Sequence, residues 1–403
     1  MGYVAIKGGG HAIEGTKAVF DYLRARNGDD ASPLGRDVIE NQLRLLHARV
    51  LSEGGVYHPK LASLAIKQAQ GDTLEAAFYL RAYRSTEPRL AETAPLNTGA
   101  MRVTRRISSA FKDIPGGQML GATTDYQLRL MKQELLDESP EQFKAVTQGW
   151  FEGLNIDSIP DTFPKVVDTL RESGLLADAP HHTQNSQDFK KSDHHRAQHS
   201  APKAEQTPFD ITRQPLVFPV PRSAALATMS RAEQGSLLAI AYSNMRGYGD
   251  IHPTIAELRV GYVPIYLPHP ITAKPMEIGE IEMTECEVVA MYEEQEDGSG
   301  SSAASNKPVF SLGYGACFGH NEVKAISMAI LDRALQIGMR DGPKNPSEDP
   351  EFVLLHVDGV DSMGFCTHYK MPHYVTFQSD MDRLRATQKK QAVKSDDTAE
   401  ETV

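Results

Sequence analysis

The chain has 403 residues, of which 40% are hydrophobic and 24% charged, an ordinary balance for a protein with a sizeable core. No run approaches the length of about 18 apolar residues that a membrane span needs, and the N-terminal sequence MGYVAIKGGGHAIEG lacks the apolar segment of a secretion signal. The net charge of −11 argues against nucleic-acid binding as the main role. The three cysteines, Cys286, Cys317 and Cys366, lie far apart, which argues against a disulfide framework and predicts a cytoplasmic protein.

The N-terminal half is predicted to be mostly helical. The stretch VIENQLRLLHARVLS repeats apolar residues at helical spacing and places Ile39, Leu43 and Leu46 on one stripe. A short strand is expected at 3–8, and another in the basic segment 102–110. Helices are predicted at about 11–26, 38–52, 59–69, 73–84, 124–136, 140–154 and 163–175.

The C-terminal half is predicted to be richer in strands. A helix is expected at 223–245, and β-branched content with partial alternation predicts strands at 256–267 and 278–292. A further strand and a glycine-rich turn lead into a long helix from about residue 320, and a last strand pair is predicted at 352–367. The fold class is therefore α+β, with a mostly helical N-terminal half and a β-rich C-terminal half with a long helix.

Shifts in composition divide the chain into predicted segments. Residues 178–207 are polar, nearly free of aliphatic side chains and rich in histidine, which predicts a disordered linker. Its histidines could bind metal, but a flexible polar tract is often His-rich without binding any, and we favour that interpretation. These histidines are His181, His182, His194, His195 and His199. The predicted segments are a helical domain at 1–177, the linker at 178–207, an α+β domain at 208–386 and a disordered tail at 387–403.

Three glycine-bearing turns are candidates for binding an anion. KDIPGGQMLG follows a cluster of arginines and can expose backbone N–H groups. SNMRGYGDIHP forms a tight bend, and LGYGACFGHNEVKA lies between a strand and a helix N-terminus, a natural place for phosphate. The last turn is one residue longer than the dinucleotide fingerprint and lacks its acidic partner, so we reject a Rossmann fold. Plain turn chemistry is the alternative for each turn. The candidate phosphate-binding residues are Arg105, Arg106, Gly116, Gly117, Arg246, Tyr248 and His252.

The acidic stretch EIEMTECEVV has two interpretations. Glu280, Glu282, Glu285 and Glu287 lie partly in alternation, so they can decorate the solvated face of a strand. A pair of carboxylates could instead stabilise positive charge on a sugar during cleavage of a glycosidic bond. The sequence does not choose between them, and the solvated face is favoured.

The stretch GFCTHYKMPHYVTF places His368 and His373 on either side of Pro372. On a helix the two rings would point roughly 140° apart, but proline disfavours a helix here and favours a bend that can bring the rings together. The spacing H-x4-H occurs in zinc ligand pairs, yet two ligands do not make a site. The spacing alone favours an ordinary pair of loop histidines.

Several long motifs resemble, in their order along the chain, the PhnI family, the I subunit of the bacterial carbon–phosphorus lyase core complex, which breaks down phosphonates. The resemblance runs from residue 2 to about residue 378, and the stretches 178–207 and 294–306 are typical of surface insertions. The motifs are GYVAIKGGGHAI, RRISSAFKDIPGGQMLG, AYSNMRGYGDIHP, MTECE, GYGACFGHNEVKAISMAILDRAL and GFCTHYKMPHYVTFQ.

The resemblance implies an activity. With the G, H and L subunits, PhnI-like chains are associated with displacing adenine from ATP at ribose C1′ by a phosphonate, which gives a ribose 1-phosphonate 5-triphosphate. Alone they are associated with deglycosylation of purine nucleotides such as ATP or GTP. The alternative is a non-catalytic scaffold that organises the core complex and contributes zinc ligands at a subunit interface.

The resemblance also implies partners and a cofactor. The expected partners are PhnG, PhnH, PhnJ and PhnL type subunits, in a two-fold complex with two copies of the chain. An iron–sulfur cluster belongs to the J subunit and is not expected here, since a cluster takes several spaced thiolates. His368 and His373 match the family's zinc site near the interface with that subunit. The remaining zinc positions would be filled by water, substrate or a partner chain.

Overall fold

The computed structural model of the chain describes residues 9–148, 163–176, 208–248, 252–292 and 308–400. The predicted strand at 3–8, the linker at 178–207 and the loop at 294–306 lie outside these residues. The strands are β1 (Arg26–Asn27), β2 (Asp30–Ala31), β3 (Arg102–Ile107), β4 (Thr254–Pro268), β5 (Pro275–Tyr292) and β6 (Val309–Phe318). The α-helices are α1 (Gly10–Ala25), α2 (Arg36–Gln42), α3 (Arg44–Gly54), α4 (Pro59–Gln68), α5 (Thr73–Thr86), α6 (Pro140–Thr147), α7 (Val166–Glu172), α8 (Arg222–Arg231), α9 (Gln234–Ser243), α10 (Glu322–Asp341), α11 (Pro350–His356), α12 (Gly359–Thr367) and α13 (Tyr374–Glu400).

The chain divides into two compact units, Leu34–Gly359 and a second unit formed by Met1–Pro33 with Val360–Val403. The first unit holds a four-stranded antiparallel sheet in the order β3–β4–β5–β6. The N-terminal half is mostly helical, and the C-terminal half supplies three of the four strands of this sheet together with the long helix α10, which confirms the predicted α+β class. Because β3 pairs with β4, the sheet draws on both halves of the chain. In the part of the chain given above, no helix is long and apolar enough to cross a membrane.

The N-terminal helices follow the sequence signals closely. The predicted helix at 38–52 is two helices, α2 and α3, because Leu43 leaves the helical conformation at φ −107° and ψ 37°. Asp72 caps α5, since its side chain accepts hydrogen bonds from the backbone N–H groups of Leu74 and Glu75. Apolar residues of α2 to α5, including Ile39 and Leu80, form a buried cluster of their own.

Two predicted elements are wrong. The strand pair at 352–367 is helical, as α11 and α12, because Asp349 caps α11 and Pro350 occupies its first turn, and these signals outweigh the β-branched content. The helix at 124–136 is irregular except for one turn at Gln133–Leu135. Its apolar side chains, such as Leu128 and Met131, are exposed, and a short helix without a packed face is not stable.

The tail also differs from the expected disorder beyond residue 387, because α13 continues to Glu400. The stretch RLRATQKKQAVKSDDTAE contains neither glycine nor proline and is rich in good helix formers. Polar composition alone therefore misled the prediction, since a polar segment can still be helical.

Helix α10 packs unusually close to β6 through two glycines. A Cβ atom at Gly313 would lie 2.1 Å from the Ala329 carbonyl oxygen, and one at Gly315 would lie 2.1 Å from the Ala325 carbonyl oxygen. The glycines predicted to form a phosphate turn therefore serve helix–strand packing. This contact places the main core on the α10 face of the sheet, with Leu258 among its residues.

Candidate functional site

The face of the sheet opposite α10 carries a buried group of charged side chains. Leu258, Cys286 and Val288 belong to the core that contains α10, so Arg259 and Glu285, which alternate with them, point to the other face. Strand register places Arg106 beside Arg259, and Arg259 beside Glu285. We name this group the carboxylate cluster; its members are Glu257, Glu285, Glu287, Arg106, Arg259 and Lys165.

Glu285 is the centre of the carboxylate cluster. Its Oε1 accepts hydrogen bonds from Thr98 Oγ1 at 2.7 Å, Lys165 Nζ at 2.8 Å and the Tyr314 hydroxyl at 2.9 Å. Its Oε2 accepts from Arg259 Nε at 3.2 Å and from Arg259 Nη2. Burial by itself would raise the pKa of Glu285, but Arg259 and Lys165 outweigh it and lower this pKa to about 2. The Glu285 carboxylate is therefore negative at neutral pH.

Glu287 shares Lys165 with Glu285, since Lys165 Nζ also donates to Glu287 Oε1 at 3.2 Å. Burial raises the pKa of Glu287 to about 7; Lys165 opposes the shift and the negative charge of Glu285 adds to it. Two neighbouring carboxyl groups with pKa values pushed apart are the pattern found where one acts as an acid and the other as an anion.

The carboxylate cluster is costly for the fold. It buries three acidic and three basic side chains, and taking ions out of water costs several kcal/mol each unless every one is well paired. Two of its atoms, Glu287 Oε2 and Arg259 Nη1, are buried without a hydrogen-bond partner among the described residues. Lys165, whose side chain is 17% exposed, is the most accessible member. Buried, strained ionic groups of this kind concentrate at functional sites.

The favoured interpretation of the acidic stretch is correct for one residue and wrong for two. Glu280 is exposed and pairs with Arg102, whereas Glu285 and Glu287 are buried. The residues that sequence analysis missed are Thr98, Lys165, Glu257, Arg259 and Tyr314. A signal existed for one of them, because E-x-R in β4 and E-x-E in β5 have the same alternation, and antiparallel pairing brings Arg259 opposite Glu285.

The arginines predicted to bind phosphate are used inside the protein. Arg106 donates to Glu257 at 2.5 Å and to the carbonyl oxygens of Pro115, Gly117 and Pro164. Arg105 donates to Glu322 at 2.5 Å, to Asp125 and to the Leu120 carbonyl oxygen. Both side chains are fully buried with every nitrogen bonded, which differs from the predicted exposed anion site.

The Gly116–Gly117 turn is exposed, but its carbonyl oxygens are bound to the buried Arg106. Gly117 N–H donates to the Ile114 carbonyl oxygen at 2.8 Å, and the turn presents carbonyl oxygens to Arg106 rather than N–H groups to an anion.

The second predicted turn holds Arg246, whose Nη1 donates to the Tyr242 hydroxyl at 2.8 Å. His252 is exposed, with Nε2 2.7 Å from the Met245 carbonyl oxygen. Tyr248 closes the same turn as Arg246, Asn244–Tyr248.

His368 and His373 are brought together by a bend, as Pro372 predicted. The chain passes from α12 through a single turn, His368–Lys370, and then starts α13 at Tyr374. The two rings have centroids 5.6 Å apart. His368 Nδ1 contacts the Phe365 carbonyl oxygen, and His373 Nδ1 lies 2.5 Å from the Met371 carbonyl oxygen.

This geometry fits two ligands of one zinc ion. With zinc–nitrogen distances of about 2.0–2.1 Å and tetrahedral angles, two imidazole centroids lie about 5 Å apart. When Nδ1–H donates to a carbonyl oxygen, Nε2 is left as the metal-binding atom, which is the usual arrangement of a zinc-bound histidine. No group of three or more His, Cys, Asp or Glu suited to a metal occurs in the residues that the structure describes. The remaining ligands would come from water, substrate or another chain.

The sequence that forms this fold matches that of bacterial phosphonate metabolism proteins over almost its whole length. The family model described as "Bacterial phosphonate metabolism protein (PhnI)" matches residues 2–391, and the chain belongs to this family.

Three relatives match almost the whole chain. A protein of Stutzerimonas stutzeri named "Putative C-P lyase subunit protein HtxH" is 67% identical over 97% of each chain. The Escherichia coli K12 protein named "Alpha-D-ribose 1-methylphosphonate 5-triphosphate synthase subunit PhnI" is 40% identical over 96% of this chain and 99% of its own. The protein of the same name in Rhizobium meliloti 1021 is 38% identical over 95% and 94%.

Proposed function

We propose that the chain is a subunit of an enzyme complex that makes a ribose 1-phosphonate 5-triphosphate from a phosphonate and ATP or GTP. One observation carries the proposal: similarity extends over nearly the full length of two relatives named as subunits of such a synthase. Full-length similarity supports transfer of the role better than similarity in a single motif would.

The proposed reaction requires two carboxyl groups with different roles. A phosphonate oxygen forms a bond to ribose C1′ while the bond from C1′ to the purine nitrogen breaks, and its electron pair leaves with the base, which takes up a proton. Positive charge builds on the ribose, so the site needs an anion near C1′ and a proton donor to the base. In our proposal Glu285 is the anion and Glu287 the donor. The support is that Lys165 holds both carboxyl groups while Arg259 keeps Glu285 ionised.

Partner subunits of the PhnG, PhnH, PhnJ and PhnL types are part of the proposal. Helix α1 has no buried residue and exposes Ile13, Phe20 and Tyr22. Exposed apolar side chains on one helix are typical of a surface that another protein covers.

Zinc is proposed as the cofactor, held by Nε2 of His368 and Nε2 of His373. When bound, zinc would supply a Lewis acid that attracts phosphate or phosphonate oxygens. The chain's own contribution is to hold each ring in the metal-binding tautomer through the carbonyl oxygens of Phe365 and Met371.

Replacing His373 with alanine is expected to remove most zinc from the assembled complex and to leave the fold intact, because the residue is exposed. Elemental analysis measures the zinc content, in a variant lacking residues 181–199 so that the linker histidines do not contribute. His356→Ala, an exposed histidine outside the pair, is the matched control. Equal zinc in the His373→Ala and His356→Ala samples would refute the site.

The synthase role is tested by following free adenine released from ATP by the complex that contains this chain. A non-catalytic scaffold is the competing hypothesis, and the experiment that separates the two is designed at the end of the Discussion.

A further inference from the structure

A cavity of about 880 Å³ lies between α3, the loop at 121–129 and the first turn of α10. We name it the Arg44 pocket. Its volume is in the range of pockets that hold small-molecule ligands. The ionisable residues that line it are Arg44, Arg49, Arg129, Asp125, Glu322 and His320.

Two glycines bring the walls of the Arg44 pocket together. Gly121 has φ +62°, and a Cβ atom there would lie 2.6 Å from the Thr104 carbonyl oxygen. Gly319 has φ +69°, and its Cβ atom would lie 2.5 Å from Ala48 Cβ. Any other residue would push the loop off the sheet or the turn off α3. Both glycines belong to turns that the sequence marked for anion binding.

The acidic groups of the pocket are already paired with an arginine, whereas two of its arginines have no acidic partner among the described residues. Asp125 and Glu322 both accept hydrogen bonds from buried Arg105. Arg44 and Arg129, in contrast, have no carboxylate within salt-bridge distance in the described ranges. The pocket therefore presents positive charge without a counter-ion from the protein.

His320 orients the Arg44 guanidinium towards the cavity. Arg44 Nη1 lies 3.0 Å from His320 Nδ1, and His320 Nε2 lies 2.8 Å from Glu322 Oε1. Because a guanidinium can only donate, Nδ1 is the acceptor and Nε2 carries the proton that Glu322 accepts. The contacts from Glu322 through His320 hold the Arg44 side chain in one conformation. A surface arginine without a function is usually not held in this way.

The start of α10 adds backbone donors. The side chain of its cap residue, Asn321, makes no hydrogen bond to the first turn and donates instead to the carbonyl oxygens of Ala48 at 3.0 Å and Phe318 at 2.6 Å. In the described part of the chain no side chain accepts from the first-turn N–H groups of this 20-residue helix, so they can bind another acceptor. They add to the positive potential that Arg44 and Arg129 produce in the pocket.

We propose that the Arg44 pocket binds a polyphosphate chain, carried by a nucleotide or free in solution. Guanidinium groups without carboxylate partners and free N–H groups are the donors that phosphate oxygens take. The pocket is separate from the carboxylate cluster, because Arg105 faces the pocket while its neighbour Arg106 belongs to the cluster, on the opposite face of the sheet. The inference therefore goes beyond adenine displacement and does not depend on it.

Calorimetric titration of the full-length chain, with any subunits that co-purify, tests the proposal. The probes are inorganic tripolyphosphate, ATP and adenosine. We expect tripolyphosphate to bind, and Arg44→Gln and Arg129→Gln each to weaken binding by about tenfold or more, the effect of losing a charge-assisted hydrogen bond. Arg36→Gln is the matched control, since Arg36 is exposed and pairs with Asp37 outside the pocket.

Each outcome decides the matter. Loss of affinity in the two pocket variants but not in Arg36→Gln supports the site, and tighter binding of ATP than of tripolyphosphate identifies a nucleotide as the source of the polyphosphate. No binding of either phosphate probe, or equal binding by all variants, overturns it. Adenine release is assayed separately: a complex without adenine release but with Arg44-dependent binding refutes the proposed function alone, and the reverse result refutes the pocket alone.

Discussion

Replacing Arg106 with methionine is expected to lower the free energy of unfolding by about 3–5 kcal/mol, the usual cost of removing one partner from a buried ion pair. Arg106 is fully buried and donates to Glu257 at 2.5 Å. Glu257 cannot turn away to water, because it also accepts a hydrogen bond from Val166 N–H at the start of α7. The variant therefore leaves an uncompensated charge in the interior. Denaturant unfolding of the full-length chain measures the loss.

The control lies on the same strand. Arg102 pairs with Glu280 but its side chain is 61% exposed, so Arg102→Met is expected to cost about 1 kcal/mol or less. Adding Glu257→Gln to Arg106→Met should recover part of the loss, because a neutral amide keeps an acceptor for Val166 N–H. Equal losses for Arg102→Met and Arg106→Met would show that the carboxylate cluster is not a buried ionic network.

Replacing Glu287 with glutamine is expected to slow adenine release by about 10²–10⁴-fold, because the amide has the same shape but cannot act as a proton donor. Glu280→Gln, an exposed position on the same strand, is the matched control and should leave the rate unchanged. The measurement is the initial rate of adenine release by the assembled complex. An unchanged rate for Glu287→Gln would mean that the carboxylate cluster serves stability alone.

Glu287 is also expected to make the stability of the chain and the rate of adenine release depend on pH. The folded-state pKa of Glu287 is raised to about 7 from 4.5, so the folded chain holds this proton more tightly than the unfolded chain. Its contribution to stability is therefore present below pH 4.5 and is lost as pH rises to about 7. The rate of adenine release by the wild-type complex should decline as pH rises through about 7. The Glu287→Gln complex should lack this decline.

Local signals in the sequence were enough for most of the fold. Helix α5 was predicted correctly because Asp72, directly before it, caps its first turn. Strands β4 and β5 were predicted correctly because their own β-branched residues alternate along the chain. The stretch 352–367 failed because its apolar residues suit either a strand or a helix, and the cap at Asp349 decided.

The site was harder to predict because its residues meet through pairing across the sheet. Lys165, Arg259 and Glu285 lie in three separate segments. The register of β4 and β5 joins Arg259 to Glu285, and Lys165 reaches Glu285 from the residue before α7. Arg105 and Arg106 misled the prediction for the same reason: two adjacent arginines suggest an exposed basic patch, whereas a strand sends them to opposite faces and buries both. By contrast, His368 and His373 are five residues apart, so a local bend at Pro372 was sufficient to predict their meeting.

The most direct measurement is adenine release from ATP by the complete complex in the presence of a phosphonate, with the wild-type chain compared with the double variant Glu285→Gln/Glu287→Gln. If the chain is a catalytic subunit, the wild-type complex releases adenine together with a ribose 1-phosphonate 5-triphosphate, while the double variant, assayed only in fractions that contain the assembled complex, releases adenine at least about 10²-fold more slowly. An assembled double variant that releases adenine at the wild-type rate would make this chain a scaffold. No adenine release by the wild-type complex would contradict the proposed reaction itself.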